Sequence, residues 1–334
     1  MAQNETNTMT SHNLLNYSGL LFNKGNTRTP FSTLIGGKSR KTNAWKFATS
    51  LAYETKGGTA QPEISESASK KAPAATFVTR EQNHNVCQIF QEALSMTYAK
   101  ASASGQLSGL NFAGQKANPA DELDFQVAQA MKKIANDIEY TFLNGVYQDG
   151  THDDVAYKTR GILNAISTNS MDATGKKLGY WLLAELISAI YSANSESDGL
   201  VLQCAPTHIM QLNADAAENG LTIVESSRER NGIRLTTLKT PFGDLDLSPN
   251  ARVPLGTALV FNPELCSPVE MDVPKKGNFF LEPLAKTGAA DDFQIYGQLG
   301  LDYGAEWAHG KITGLDQAFT APGNAAAAAA EVSD

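Results

Sequence analysis

The side chains best suited to chemistry are five histidines, three cysteines and a few glycine- or carboxylate-rich strings. None falls into a working pattern. Gly36-Gly37-Lys38-Ser39 has the ending of a phosphate-binding loop. Such a loop needs a glycine five residues before its Gly-Lys pair, yet Ser32 stands there and no apolar strand leads in. His152-Asp153-Asp154 carries metal-ligand types, but a site needs three or four converging groups and no matching His or Cys spacing lies nearby, so a solvated loop is expected. His84, between two asparagines, and His208, beside a helix start, read as hydrogen-bonded structural histidines; His12 and His309 have no evident partner. Cys204 lacks a local activating group, and no Gly-x-Ser-x-Gly elbow occurs. Gly105, Gly109 and Gly114 have the wrong spacing for a dinucleotide fingerprint and follow no strand. Asp291-Asp292 and Asp244/Asp246 read as turn and strand-edge carboxylates. No catalytic, cofactor-binding or metal residue is assigned, and the expectation is a building block rather than an enzyme.

Composition narrows the partners. The chain has 334 residues, 42% hydrophobic and 19% charged, with a net charge of −8. Lysine and arginine form no block longer than a pair such as Lys70-Lys71, Lys132-Lys133 or Lys275-Lys276. A sequence-reading nucleic-acid binder needs a basic stripe, so that class is disfavoured. An acidic wall could still enclose DNA without gripping it. Cys87, Cys204 and Cys266 are odd in number and far apart, which suits free thiols in a reducing compartment. No apolar run approaches the ~20 residues that span a bilayer. The start, Met1 to Glu5, lacks a basic region followed by an apolar one, so a cytoplasmic product is expected.

The elements that would position any site are clearer. Asn118 can cap a helix that has Pro119 at its first position, Asp121 and Glu122 at its positive end, and Gly145 as its stop. Val127, Met131, Ile134, Ile138 and Phe142 recur at three- and four-residue steps and form its expected core stripe. At ~1.5 Å per residue the helix is ~37 Å long. Upstream, residues 1–49 are rich in Asn, Thr, Ser and Gly with apolar islands at Leu20, Phe22 and Phe31, which suits an arm lying across something else. From Leu51 to Thr76, Gly57-Gly58, Pro62 and Pro73 mark a long projecting hairpin, with a disordered linker as the alternative. Thr76 to Ala99 leans toward strand and returns to the body.

Past the long helix, Leu178, Leu182, Leu186 and Ile190, with Trp181, Leu183 and Ile187 beside them, predict a helix over about 177–194 packed inside an α/β layer. Leu200-Val201-Leu202 reads as a buried strand, and Thr207 as the cap of a helical turn. Ile233/Leu235 and Leu245/Leu247 flank a turn at Pro241-Phe242-Gly243-Asp244. Ala258 to Phe261 is a buried strand; Phe293, Ile295, Leu299, Leu301 and Tyr303 share one face of a long one. Ala325 to Ala330 is a low-complexity tail.

Several strings occur in a telling order: Thr29-Pro30-Phe31 with Leu34-Ile35-Gly36-Gly37, Arg80 to Phe90, Asp137-Ile138-Glu139 leading to Leu143-Asn144-Gly145, Thr159-Arg160-Gly161-Ile162, Thr240-Pro241-Phe242-Gly243, and Ala308 to Leu315. In that order, over most of residues 29–315, the chain resembles phage major capsid proteins of the HK97-like fold, an α+β architecture. The resemblance implies an N-terminal arm at 1–49 and an extended loop at 50–82. It implies a peripheral domain at 83–174 and 271–320 with a spine helix at 119–144, an axial domain at 175–270, and an Ala-rich tail at 321–334. Inter-subunit contacts are expected at Leu20, Phe22, Phe31, Tyr53, Lys56, Glu63, Lys70 and Lys71.

Such proteins form hexamers and pentamers that tile an icosahedral shell around double-stranded DNA, held without sequence specificity. The implied setting is the virion capsid, assembled in the bacterial host cytoplasm, with a portal, possible separate scaffolding or decoration proteins, no cofactor and no membrane. Some relatives carry a helical scaffolding segment at the N-terminus; this arm is short and has no heptads. Some cross-link Lys to Asn; Lys56, Lys70 and Lys71 lie in the loop, but no acceptor is identified. Two rival readings stay open: an encapsulin-like shell around protein cargo, and an enzyme whose site forms between subunits.

Overall fold

The computed structural model describes residues 26–53, 61, 63–72, 77–99, 122–151, 154–194, 199–218, 228–230, 233–286 and 288–319. The spine is a helix, Glu122–Asn144. Its expected start signals at Asn118, Pro119 and Asp121 lie outside the described residues. It ends at Gly145, whose N–H donates to Thr141 O at 2.8 Å. The stop is enforced by crowding. A Cβ on Gly145 would stand 2.5 Å from both Thr141 O and Thr159 O, and one on Gly161 would stand 2.5 Å from Gly145 N. Gly161 N–H donates to Gly145 O at 2.9 Å, so the two glycines let the returning chain seal the helix end.

Ile134 and Phe142 are buried, and Val127 and Ile138 pack against the same core. Met131 differs from the expected stripe and is 42% exposed. The buried face turns along the helix. At about 100° per residue, Val127, Ala130 and Ile134 share one side, whereas Glu139, Phe142 and Leu143 have rotated toward other partners. Met131 sits on the flank that this rotation leaves uncovered.

The spine lies against a five-stranded sheet made of β1 (Arg40–Thr42), β4 (Gln88–Thr97), β11 (Ser267–Met271), β12 (Phe280–Pro283) and β13 (Ala290–Asp302). β13 runs antiparallel to β4 over ten residue pairs and takes β11 and β12 on its other edge. β2 (Lys46–Tyr53) and β3 (Arg80–Val86) form a separate antiparallel hairpin with an irregularity between Ala48 and Ser50. The hairpin begins at Lys46, ahead of the loop limits expected from sequence. Its connection holds a short helix, Glu66–Ser69.

A second, seven-stranded sheet has the order β5 (Ser170–Asp172), β14 (Gly310–Thr313), β10 (Ala258–Phe261), β6 (Leu200–Cys204), β9 (Gly243–Pro249), β8 (Ile233–Thr240), β7 (Arg228–Arg230). Every residue of β6 is buried because both faces are covered, which accounts for its unbroken apolar run. Leu200, Leu202, Leu245, Leu247 and Val260 face helices Tyr180–Asn194 and Pro206–Glu218. Val201, Leu235, Leu259 and Phe261 face the spine core. β5 and β14 come from outside the 175–270 limits, so the sheet runs through the boundaries expected for the axial domain. That pairing links distant segments and leaves no local signal.

Two smaller expectations also shift. Trp181 is 72% exposed rather than packed in a layer. Pro206 takes the first position of its helix, which places Thr207 inside the helix rather than at its cap.

Candidate assembly surfaces and the arm clamp

A buried carboxylate joins the spine to the arm. Glu139, on the spine and 0% exposed, projects toward helix Pro30–Ile35. Its Oε1 accepts from Phe31 N–H at 2.9 Å and from Asn250 Nδ2 at 2.8 Å. Its Oε2 accepts from Ser32 N–H at 2.7 Å and from the Ser32 hydroxyl at 2.5 Å. A short helix has unsatisfied N–H groups at its start and a partial positive charge there, so a buried carboxylate caps it well. Asn250 extends the network, donating also to Gln203 Oε1 at 3.2 Å and accepting from Arg252 N–H at 3.0 Å. The Arg252 guanidinium then holds Arg28 O and Asn26 O at 2.8 and 2.9 Å. Asp215 repeats the device at helix Tyr180–Asn194, accepting from Tyr180 N–H at 2.7 Å.

Phe31 therefore corrects an expectation. Expected at an inter-subunit contact, it is instead fully buried in its own chain, with its ring centroid 4.9 Å from that of Phe261. Thr29-Pro30 starts a helix, and residues 30–42 dock on the body of their own chain. Charge completes the docking. Lys38 pairs with Glu264, Arg40 with Asp302 at 2.7 Å, Lys41 with Asp272 at 2.6 Å, and Lys46 with Asp149 at 2.6 Å. The partner carboxylates raise Lys41 and Lys46 above the ordinary lysine range. Burial raises the Asp302 carboxyl, against the opposing pull of Gly304 N–H and Arg40. The exposed lysine pairs contribute little singly, so position along the arm is their main product.

The hairpin is fixed at its root and bare farther out. Trp45 and Phe47 pack on Cys87, Val269 and Met271, and Trp45 stacks on Tyr157 with centroids 5.1 Å apart. Tyr53, Phe77 and Val78 are 68%, 83% and 54% exposed. Glu63, Lys70 and Lys71, also expected at contacts, are exposed. Leu20, Phe22 and Lys56 lie outside the described residues, as do His12, Gly105, Gly109, Gly114, His152 and Asp153.

The buried titratable groups hold structure. His309 Nδ1 accepts from Asn262 N–H at 3.2 Å, so its Nε2–H donates to Tyr303 O at 2.7 Å. Burial pushes its pKa down to about 4 and keeps the ring neutral. His208 donates from Nδ1 to Gln211 Oε1 at 2.8 Å and accepts from Gly256 N–H at 3.0 Å. Desolvation pushes the Cys87 and Cys204 thiols up to about 12 and Cys266 higher still, so all three stay protonated and unreactive. Among the described residues no group of three or more His, Cys, Asp or Glu could hold a metal ion, and no helix is long and apolar enough to cross a membrane. Glu139, Asn250 and Arg252 escaped sequence reasoning. The one local sign was an acidic residue set between the apolar positions Ile138 and Phe142.

A long spine against a sheet, a docked arm, an outlying hairpin and a mixed α/β unit together define the HK97-like capsid fold. Solved capsids and a compartment shell share it. The cyanophage A-1(L) capsid matches with a TM-score of 0.62 at 12% identity, covering 91% of this chain and 98% of that one. The SrpI encapsulin of Synechococcus elongatus PCC 7942 matches at 0.59 with 11% identity, covering 85% and 86%. Mycobacterium phage Patience matches at 0.56 with 8% identity, covering 87% and 84%. No individually curated protein matches the chain in sequence. The family model for the SU10 major capsid protein matches residues 4–316, and the chain belongs to that family. It is a tailed-phage major capsid protein, a structural component of the virion.

Proposed function

We propose that copies of this chain associate as hexamers and pentamers into a closed icosahedral shell around double-stranded DNA. In this reading the spine and five-stranded sheet form the peripheral part, and the seven-stranded sheet forms the axial part. The hairpin reaches an adjacent copy. The observation that carries the reading is the contrast along that hairpin. Its root is packed, whereas Tyr53, Phe77 and Val78 are largely exposed among the described residues. Full burial of such a side chain contributes about 1.5–3 kcal/mol, and a ring of copies repeats the contact at every subunit. Removing residues 54–75 is expected to leave a folded subunit that forms no shells, as read by circular dichroism and negative-stain microscopy. Normal shells from that variant would refute the role of the hairpin. Because an encapsulin shares the fold, the content of purified particles separates the two shell readings. Nuclease-protected DNA supports a genome container, and protein cargo without DNA supports a compartment.

A further inference from the structure

Arg160 is held in place by its backbone and left unfinished at its side chain. Its N–H donates to Asn85 Oδ1 at 2.8 Å, and its carbonyl accepts from Asn85 Nδ2 at 3.1 Å. Arg160 is a half-buried residue, and its guanidinium lies over the Tyr147 ring, 4.8 Å from the centroid. His84 meets the same ring edge-on at 6.2 Å. Among the described residues the Arg160 guanidinium has no hydrogen-bond or ion-pair partner. Two other guanidiniums do: Arg40 of the arm has Asp302, and Arg252 has two arm carbonyls. Among the described carboxylates of the local loop, Asp149 is committed to Lys46.

A guanidinium carries five N–H donors in a fixed fork that matches a carboxylate, and burying it without an acceptor is costly. Here the fork is also pre-organised. The Tyr147 ring lies beneath it, and the 148/158 bridge ties the two segments that carry ring and cation, with Gln148 N–H to Lys158 O at 3.1 Å and the reverse bond equal. Little side-chain freedom is left to lose when a partner arrives.

We infer that Arg160, seated over the Tyr147 ring at the hairpin root, is the receptor for a surface carboxylate of an adjacent copy of this chain. The inference rests on the shell reading above. A second copy is the favoured source because the chain holds 35 acidic residues against 27 basic ones. Nucleic-acid phosphate is disfavoured: a backbone tract needs several free cations, whereas Lys46 is already neutralised and Asp149 and Asp154 share the loop.

The test compares full-length wild type, Arg160→Gln and Arg160→Lys. Each is assembled from nuclease-treated subunits and followed by sedimentation and negative stain across a salt series. Arg160→Gln is expected to keep the wild-type unfolding midpoint while needing about tenfold more subunit to assemble, with shells that dissociate at lower salt. Arg160→Lys, which lacks the fork, should fall between the two and carries the test if the Gln variant does not fold. Wild-type shells with both variants equally salt-resistant would overturn the inference and leave the shell reading intact. A wild type that forms no shells would overturn both. A deficit seen only when nucleic acid is present would assign Arg160 to phosphate and overturn the carboxylate partner.

Discussion

Glu139→Gln is the substitution whose consequence the geometry sets most sharply. The change keeps volume and shape while replacing one carboxylate oxygen by an NH2 group. In the wild type each oxygen accepts two donors. The best arrangement for glutamine keeps its oxygen toward Phe31 N–H and Asn250, and turns the amide nitrogen toward Ser32. The Ser32 hydroxyl can rotate to accept from that nitrogen, but Ser32 N–H cannot, and it is left facing a donor. One stranded buried donor costs about 1–3 kcal/mol, and the two retained bonds lose their charge assistance. A total of about 2–4 kcal/mol is expected, a large share of the 5–15 kcal/mol typical of a folded domain. Release of the arm should rise accordingly, by about 30-fold or more at 2 kcal/mol. Limited trypsin digestion reads it directly, through the rate of cleavage after Lys38, Arg40 and Lys41, with a urea midpoint measured alongside. Equal cleavage rates and equal midpoints would show that the arm docks without help from the carboxylate, and the clamp would have to be abandoned.

His309 makes stability depend on acidity. Its ring titrates near 6.5 when unfolded and about 4 when folded. Between those values the unfolded chain takes up a proton that the native chain refuses, so stability present above the window is lost as pH falls through it, by up to about 3 kcal/mol. Urea midpoints for wild type and His309→Gln over that range should converge toward acid; parallel curves would remove His309 as the cause. Gly161→Ala places a methyl 2.5 Å from Gly145 N and 2.7 Å from Leu143 O, all backbone, and is expected to lower stability by about 2–4 kcal/mol. An unchanged thermal midpoint would show that the helix end yields freely.

Local periodicity made most of the regular elements legible. The spine, the helix ending at Asn194, β10 and the β8–β9 hairpin all stand where apolar spacing and turn residues put them. What stayed hidden is what depends on distant pairing. Nothing near Met171 announces that it will lie beside Ile312, and nothing near Phe31 announces Glu139, 108 residues along the chain. Met131 and Trp181 failed for a related reason. Periodicity says which positions share a side, but not where a partner stops covering that side. The aromatic seat of Arg160 was likewise invisible, because Tyr147 and His84 reach it from separate elements.

The pairing of β14 between β5 and β10 also sets a clock on synthesis. Strands from residues 170–172 and 258–261 must wait for residues 310–313 before their shared gap can close. A nascent chain therefore emerges almost whole before this sheet is complete. Side chains that pack on the finished sheet reach their final places only once translation of the subunit is nearly over.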